Sequence, residues 1–214
     1  PLNPPFAKGE TVEYPPLKKG GEGGFNISWD DFIGPPLTPT LSPKGRGGTE
    51  IMDSEDHCLI IYTSGTTGKP KGTVHTHAGC QAQMAKELGY YFDVKPDSQF
   101  FWVTDIGWMM GPWEILGVMT FGGTVTIFEG APDWPQPDRL WEIVERHKIT
   151  HLGISPTAIR LLIKSGPEWP KKHNLSSLKY LGSTGETWDP ESYHWFFEHV
   201  GGKRCPIINI SGGT

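Results

Sequence analysis

The sequence predicts an α/β fold, with layered sheets flanked by helices across residues 53–214, preceded by a disordered Pro/Gly-rich segment across residues 1–52. Three observations predict it. Short apolar runs alternate with amphipathic stretches, as strands and helices do in layered α/β folds. Helix-start signals recur at Ser155-Pro156 and Asp189-Pro190, each a capping side chain followed by a first-turn proline. Proline and glycine crowd the first fifty residues, and the composition changes at Asp53.

The N-terminal stretch contains three related phrases, Pro4-Pro5-Phe6-Ala7-Lys8-Gly9, Pro15-Pro16-Leu17-Lys18-Lys19-Gly20 and Pro35-Pro36-Leu37. Such composition buries too little apolar surface to offset backbone entropy, so residues 1–24 and 35–48 are expected to be disordered or loosely draped. Residues 25–33, with Trp29 and Phe32, are expected to form a short ordered piece.

The elements then follow in order. Residues 57–63 read as a buried strand ending in a Gly/Thr/Lys loop, and residues 78–91 as helical. Strands are expected at 100–103 and 124–128. Residues 138–147 read as a helix with Leu140, Trp141, Ile143 and Val144 toward the core and Glu142 paired with Arg146 one turn on. A strand over 149–154 leads to a helix from Ser155-Pro156 through Lys164. A strand over 178–181 precedes the helix opened by Asp189-Pro190 and closed by Gly201-Gly202, and residues 207–210 form the last strand. Ligands of such folds sit at the carboxyl ends of strands, where residues 63–72 and 211–214 fall.

Bulk properties exclude several functions. The 214 residues carry 24 acidic against 19 basic side chains, a formal charge of −5, with no dense Lys/Arg stretch, so a nucleic-acid partner is not expected. No apolar run reaches a membrane span of roughly 20 residues. With no export signal, the expected location is the cytoplasm. Cys58, Cys80 and Cys205 form no C-x-x-C pair. His75 and His77 with Cys80 nearby make a weak metal site without a fourth ligand, and no metal site is assigned. The nine tryptophans read as core and pocket material. Oligomeric state is not legible.

The most informative segment is Thr63-Ser64-Gly65-Thr66-Thr67-Gly68-Lys69-Pro70-Lys71-Gly72. Glycines let backbone N–H groups approach an anion, the hydroxyls add donors, and Lys69 and Lys71 add positive charge. The spacing is neither that of a Walker A loop nor G-x-G-x-x-G. Read alone, it fits a polyphosphate grip or a solvated surface loop.

Preceded by Tyr62, this segment resembles the signature of the adenylate-forming superfamily, which includes acyl-CoA synthetases, luciferases and peptide-synthetase adenylation domains. Further segments narrow the resemblance toward acetyl-CoA-synthetase-like enzymes. They are Phe101-Trp102-Val103-Thr104-Asp105-Ile106-Gly107-Trp108, Glu129-Gly130-Ala131-Pro132-Asp133-Trp134-Pro135, Ser155-Pro156-Thr157-Ala158-Ile159-Arg160 and Leu181-Gly182-Ser183-Thr184-Gly185-Glu186. The resemblance runs over residues 53–214, with residues 1–48 mostly outside it. It implies a partial large domain of an adenylate-forming enzyme.

The resemblance also implies a chemistry. A small carboxylic acid attacks the α-phosphate of ATP, giving acyl-AMP and pyrophosphate, and the thiol of coenzyme A then takes the acyl group. Mg2+ bridges the phosphates. Thr63, Ser64, Gly65, Thr66, Thr67, Gly68, Lys69 and Lys71 are expected to hold the β- and γ-phosphates. Gly185 and Glu186 are expected to border the adenine, Asn209, Ser211 and Gly213 to wall it, and Thr214 to reach the α-phosphate. For Glu186, a carboxylate approaching the helix at Asp189 is the competing reading. Trp108, Met109, Met110 and Gly212 are expected to line the acyl pocket, although Met109 and Met110 also fit plain core packing. Acetate-specific relatives carry Trp-Trp-Gln-Thr where this chain has Ser211-Gly212-Gly213-Thr214, so Gly212 replaces a pocket-capping tryptophan and an acid longer than acetate is expected. Gly107-Trp108-Met109-Met110 and the run from Ile210 to Thr214 resemble acetoacetyl-CoA synthetases, while Gly185-Glu186 follows the acetyl type. In the family, a metal-holding Glu, the ribose-binding Asp, the hinge and the domain carrying the adenylation lysine follow the position of Thr214, so residues 1–214 alone are expected to be inactive or nearly so. Two alternatives remain: a non-catalytic nucleotide-binding remnant of a disrupted gene, and an adenylation domain that loads a carrier protein.

Overall fold

The computed structural model describes residues 52–63 and 69–213, which lie in one compact unit. The expectations for residues 1–51, for Ser64, Gly65, Thr66, Thr67 and Gly68, and for Thr214 fall outside the described residues.

The unit opens with an antiparallel hairpin, β1 (His57–Thr63) and β2 (Lys71–Thr76), paired from His57↔Thr76 to Thr63↔Lys71. Thr76 caps helix α1 (His77–Lys86) by accepting from Gly79 N–H at 3.3 Å, and a π turn (Glu87–Tyr91) extends it. There follow β3 (Gln99–Trp102), α2 (Met110–Thr120), β4 (Thr124–Thr126), α3 (Arg139–His147), β5 (His151–Gly153) and α4 (Pro156–Ile163). The short α5 (Glu168–Lys171), β6 (Tyr180–Ser183), α6 (Pro190–Trp195) with its own π turn (Phe196–Val200), and β7 (Ile207–Asn209) complete the order.

Strands β3 to β7 form one parallel sheet in the order β4-β3-β5-β6-β7. The chain starts inside the sheet, steps out to β4, then returns past β3 to build the other side. The strand order therefore reverses between β3 and β5, the kind of crevice where α/β sheets bind ligands. Alternation along β3 divides two cores. Phe101 faces a cluster with Leu140, Trp141, Val144, Leu152, Ile159, Leu181 and Phe196, under α3, α4 and α6. Phe100 and Trp102 face Met84, Leu88, Phe92, Trp113 and Val118, under α1 and α2. Phe92, Trp102 and Trp113 meet edge to face, with centroids 5.1–5.8 Å apart. Room for Trp102 comes from Gly153 on β5 and Gly182 on β6, where any Cβ would collide with its ring. His151 lies on this second face, stacked between Phe100 and Tyr180. Its Nε2–H donates to the Phe92 carbonyl at 2.7 Å, and burial lowers its pKa.

The α/β expectation holds, and Leu140, Trp141, Ile143 and Val144 are all buried as expected. Several local expectations change. The 57–63 strand is not buried: only Ile61 is, because β1 has one strand neighbour and its other face, with Tyr62 68% exposed, is uncovered among the described residues. Strand β4 stops at Thr126, where its pairing with β3 ends. Strand β6 starts two residues late, because the N–H groups of Lys179 and Tyr180 both bond the Thr150 carbonyl before regular pairing begins. Glu142 pairs with Arg139 at 3.2 Å rather than with Arg146. Asp138 does not cap α3; its carboxylate lies 3.3 Å from His173 Nε2. Helix α2 was not expected, since Gly111, Pro112 and Gly117 mask its period; Gly117 is there because Leu88 packs where its Cβ would stand.

Candidate functional site

Of the expected site residues, Trp108, Met109 and Met110 follow β3, Gly185 and Glu186 follow β6, and Asn209, Ser211, Gly212 and Gly213 end or follow β7 at the carboxyl edge of the parallel sheet, whereas Thr63, Lys69 and Lys71 lie on the β1–β2 hairpin. Serine 155 ends the β5 exit and caps α4, accepting from Ala158 N–H at 3.2 Å. Leaving β6, the chain turns through Gly185 at φ +91°, a left-handed conformation that suits glycine, and nothing lies within 4 Å of where its Cβ would be. Leaving β7, Asn209 and residues 211–213 are exposed while Ile210 is half-buried, and among the described residues nothing lies within 4 Å of a Cβ at Gly212 or Gly213.

Hydrogen bonds tie the two exits together. The buried Ser183 hydroxyl accepts from Trp188 Nε1–H at 2.7 Å and donates to Asn209 Oδ1 at 2.8 Å. The Thr184 hydroxyl donates to the Ile210 carbonyl at 2.8 Å, and Ile210 N–H donates to the Ser183 carbonyl at 2.9 Å. Asn209 is therefore fixed from below, with its acceptor oxygen already engaged.

The β6 exit is also tied to α4. Thr157 donates its hydroxyl to Glu186 Oε2 at 2.8 Å and its N–H to Oε1 at 3.3 Å. Arg160 reaches Glu186 at 2.5 Å and Asp189 at 3.0 Å. The Thr157 hydroxyl bond, followed by Arg160, holds the Glu186 carboxyl below its usual range. Asp189 caps α6 by accepting from Ser192 N–H at 2.9 Å, and its contacts with Ser192 and Arg160 push its carboxyl well below normal. The Glu186 side chain, beside the Gly185 turn, thus faces the start of α4 and not the helix opened by Asp189.

Among the phosphate-loop residues that are described, Thr63 ends β1, Lys71 begins β2, and Lys69 and Lys71 are exposed. The acyl-pocket set does not close into one cavity among the described residues. Trp108 is 70% exposed, Met110 packs on the second core cluster, and Gly212 stands in open space. Two clefts of about 250 and 240 Å³ lie elsewhere, one beside α5 at the amino ends of β6 and β7, the other between β4 and α3. No group of three or more His, Cys, Asp and Glu side chains able to hold a metal occurs among the described residues. No helix of the described residues is long and apolar enough to cross a membrane.

Sequence reasoning named the segments containing Thr157, Arg160, Ser183 and Thr184 but gave those residues no role. Their side chains make the ties between strand exits. Trp188 was also missed; its indole N–H is what a buried serine needs as a donor, but the pairing is visible only in three dimensions.

With this geometry in hand, comparison places the chain among known proteins. The family model described as AMP-binding enzyme matches residues 15–214, beginning well before the motif resemblance at residue 53. An acetyl-coenzyme A synthetase of Chlorobaculum tepidum is 48% identical over 214 residues, covering 97% of this chain and 31% of that protein. An acetyl-coenzyme A synthetase of Coprinopsis cinerea is 48% identical over 187 residues, covering 87% and 27%. The solved structure of acetoacetyl-CoA synthetase from Streptomyces lividans is similar with a TM-score of 0.72 and 29% identity, over 84% of this chain and 30% of that one. The chain spans less than a third of the length of each of these relatives.

Proposed function

Because the chain belongs to the family of AMP-binding enzymes, we propose that it carries the nucleotide-binding part of an ATP-dependent, AMP-forming acyl-CoA synthetase acting on short carboxylic acids larger than acetate. The observation that supports this reading is the pair of carboxyl-end exits from adjacent strands β6 and β7, Gly185-Glu186 and residues 209–213, locked to each other through Ser183, Asn209, Thr184 and Ile210.

In this reading the adenine lies against the two exits. Gly185 and Gly213 let backbone approach the base, Asn209 and Ser211 present polar groups to it, and Glu186 holds the turn in place through Thr157 and Arg160. Thr63, Lys69 and Lys71, with residues 64–68 between them, hold the β- and γ-phosphates, and Thr214 reaches the α-phosphate. The carboxylate of the acid attacks that phosphorus, so the protein's work is positioning and neutralising charge. Mg2+, when bound, neutralises phosphate charge; the described residues offer it no cage of their own, and the charge they bring is that of Lys69 and Lys71. Coenzyme A is the acceptor of the acyl group in the second half-reaction. Gly212, with no described residue within 4 Å of a Cβ, leaves room for the longer acid.

Titration calorimetry with non-hydrolysable acyl-adenylate analogues, from acetyl to hexanoyl and including acetoacetyl, tests both levels. Binding rather than turnover is read. Affinity is expected to rise about fourfold per added methylene until the pocket is filled. Gly212→Trp is expected to return the optimum to acetyl. An acetyl optimum in the unaltered chain overturns the substrate assignment. Absence of binding by folded chain overturns the nucleotide site.

A further inference from the structure

Two of the three cysteines meet in space. Cys58 lies on β1 and Cys80 on α1, 22 residues apart, and their sulfurs are 3.3 Å from each other. The approach is built into the fold. The β1–β2 register slips between His57↔Thr76 and Leu59↔His75, which leaves Cys58 as the bulged residue with no partner opposite. A bulge re-aims its side chain, and here Cys58 turns onto the core cluster that contains Cys80.

Backbone bonds hold the two elements against each other around the pair. His77 N–H donates to the Asp56 carbonyl at 3.1 Å, and Ala78 N–H donates to the Ser54 carbonyl at 2.9 Å. The chain entering β1 is therefore fastened to the first turn of α1. A disulfide needs sulfurs about 2.0 Å apart, so they must close by little more than about an ångström.

We propose that Cys58 and Cys80 are a redox modification site that forms a reversible disulfide when the protein meets a peroxide. Cys58 is half-buried and Cys80 buried, so peroxide reaches Cys58 first. The Cys58 sulfur attacks one peroxide oxygen and the O–O bond breaks. Cys58 becomes a sulfenic acid, and its thiol proton leaves with the other oxygen as water. The Cys80 sulfur then displaces the hydroxyl from Cys58, which leaves as water with the Cys80 thiol proton. The two thiols lose two electrons and two protons, and one peroxide becomes two waters. Burial, with the hydrogen bond to Cys58 after it, pushes the Cys80 thiol up to about 11. It therefore stays protonated near neutral pH and is not the sulfur that peroxide oxidises first; its place 3.3 Å from the Cys58 sulfur makes it the resolving one, and it gives up its proton as it displaces the hydroxyl. The bond would clamp the open end of the hairpin whose far end carries residues 64–70.

Cys205 is an internal control. It is buried in the other core cluster, where its thiol donates to the Leu178 carbonyl at 3.2 Å. The full chain is treated with stoichiometric hydrogen peroxide and read by intact mass and non-reducing peptide mapping, with folding followed by circular dichroism. The expected result is the loss of two hydrogens, a Cys58–Cys80 linked peptide, and complete reversal by dithiothreitol. Cys205→Ser is expected to crosslink as the unaltered chain does. Cys58→Ser and Cys80→Ser are each expected to lose the linkage. Folded protein that ends with Cys58 as a sulfinic acid, that links Cys205, or that keeps all its thiols overturns the proposal. The site does not rest on nucleotide binding, so either reading can fail without the other.

Discussion

Glu114 on α2 is 1% exposed, and its carboxyl accepts from Trp102 N–H at 3.2 Å. Burial without a cation raises its pKa from 4.5 to about 8, against the smaller lowering effect of that N–H. The folded protein therefore keeps this proton up to about pH 8, while the unfolded chain releases it near 4.5. Between those values the folded state binds more protons, so this group makes stability fall as pH rises. The slope approaches roughly 1.4 kcal/mol per pH unit. Glu114→Gln keeps the shape and removes the titration. Urea denaturation at pH 5, 6.5 and 8 is expected to show the unaltered chain losing ground to the variant with each step. Parallel curves for the two proteins would mean that Glu114 is charged or hydrated in solution.

At the scale of elements, α4 does two jobs. Its first turn is stabilised by Ser155, and Ser155→Ala is expected to cost ~1 kcal/mol, read as a lower urea midpoint at unchanged slope. Its exposed face carries Arg160, which binds Glu186 in the β6 exit and Asp189 at the start of α6. Those pairs are about 40% exposed, so water and salt screen them and they add little to stability. Their effect on geometry is larger, because they set where the Gly185 turn sits. Arg160→Ala is expected to leave the melting temperature nearly unchanged and to weaken the acyl-adenylate analogue several-fold. Equal affinity in the variant would assign the turn's position to Thr157 alone.

At the scale of the whole molecule, the described parallel sheet lies between two core clusters, one on each face. The second core depends on Trp102 lying flat over two glycines. Gly153→Ala is expected to destabilise by about 1–3 kcal/mol, since its Cβ would enter the Trp102 ring and backbone offers no slack. Gly212→Ala, at the carboxyl edge, meets no described residue within 4 Å and is expected to melt with the unaltered chain. The contrast separates a glycine packed against the core from a glycine with open space beside it. Comparable losses at both positions would show that the edge is covered in solution.

The amino-acid sequence by itself determined the alternation of strands and helices, the caps at Ser155 and Asp189, the buried stripe of α3, and the family. Those features are local: period, capping chemistry and contiguous motifs are written in neighbouring residues. It did not determine which strands are buried or where they begin, because that depends on neighbours in the sheet, as at β1 and β6. Only the tertiary structure decided that Ser183 meets Asn209, that Glu186 meets Thr157 and Arg160, and that Cys58 meets Cys80. Each pair is separated by 22 to 29 residues and joined only when parallel strands or a packed helix set their ends side by side. Side-chain contacts at such separations follow from strand order and register, and those are properties of the assembled sheet.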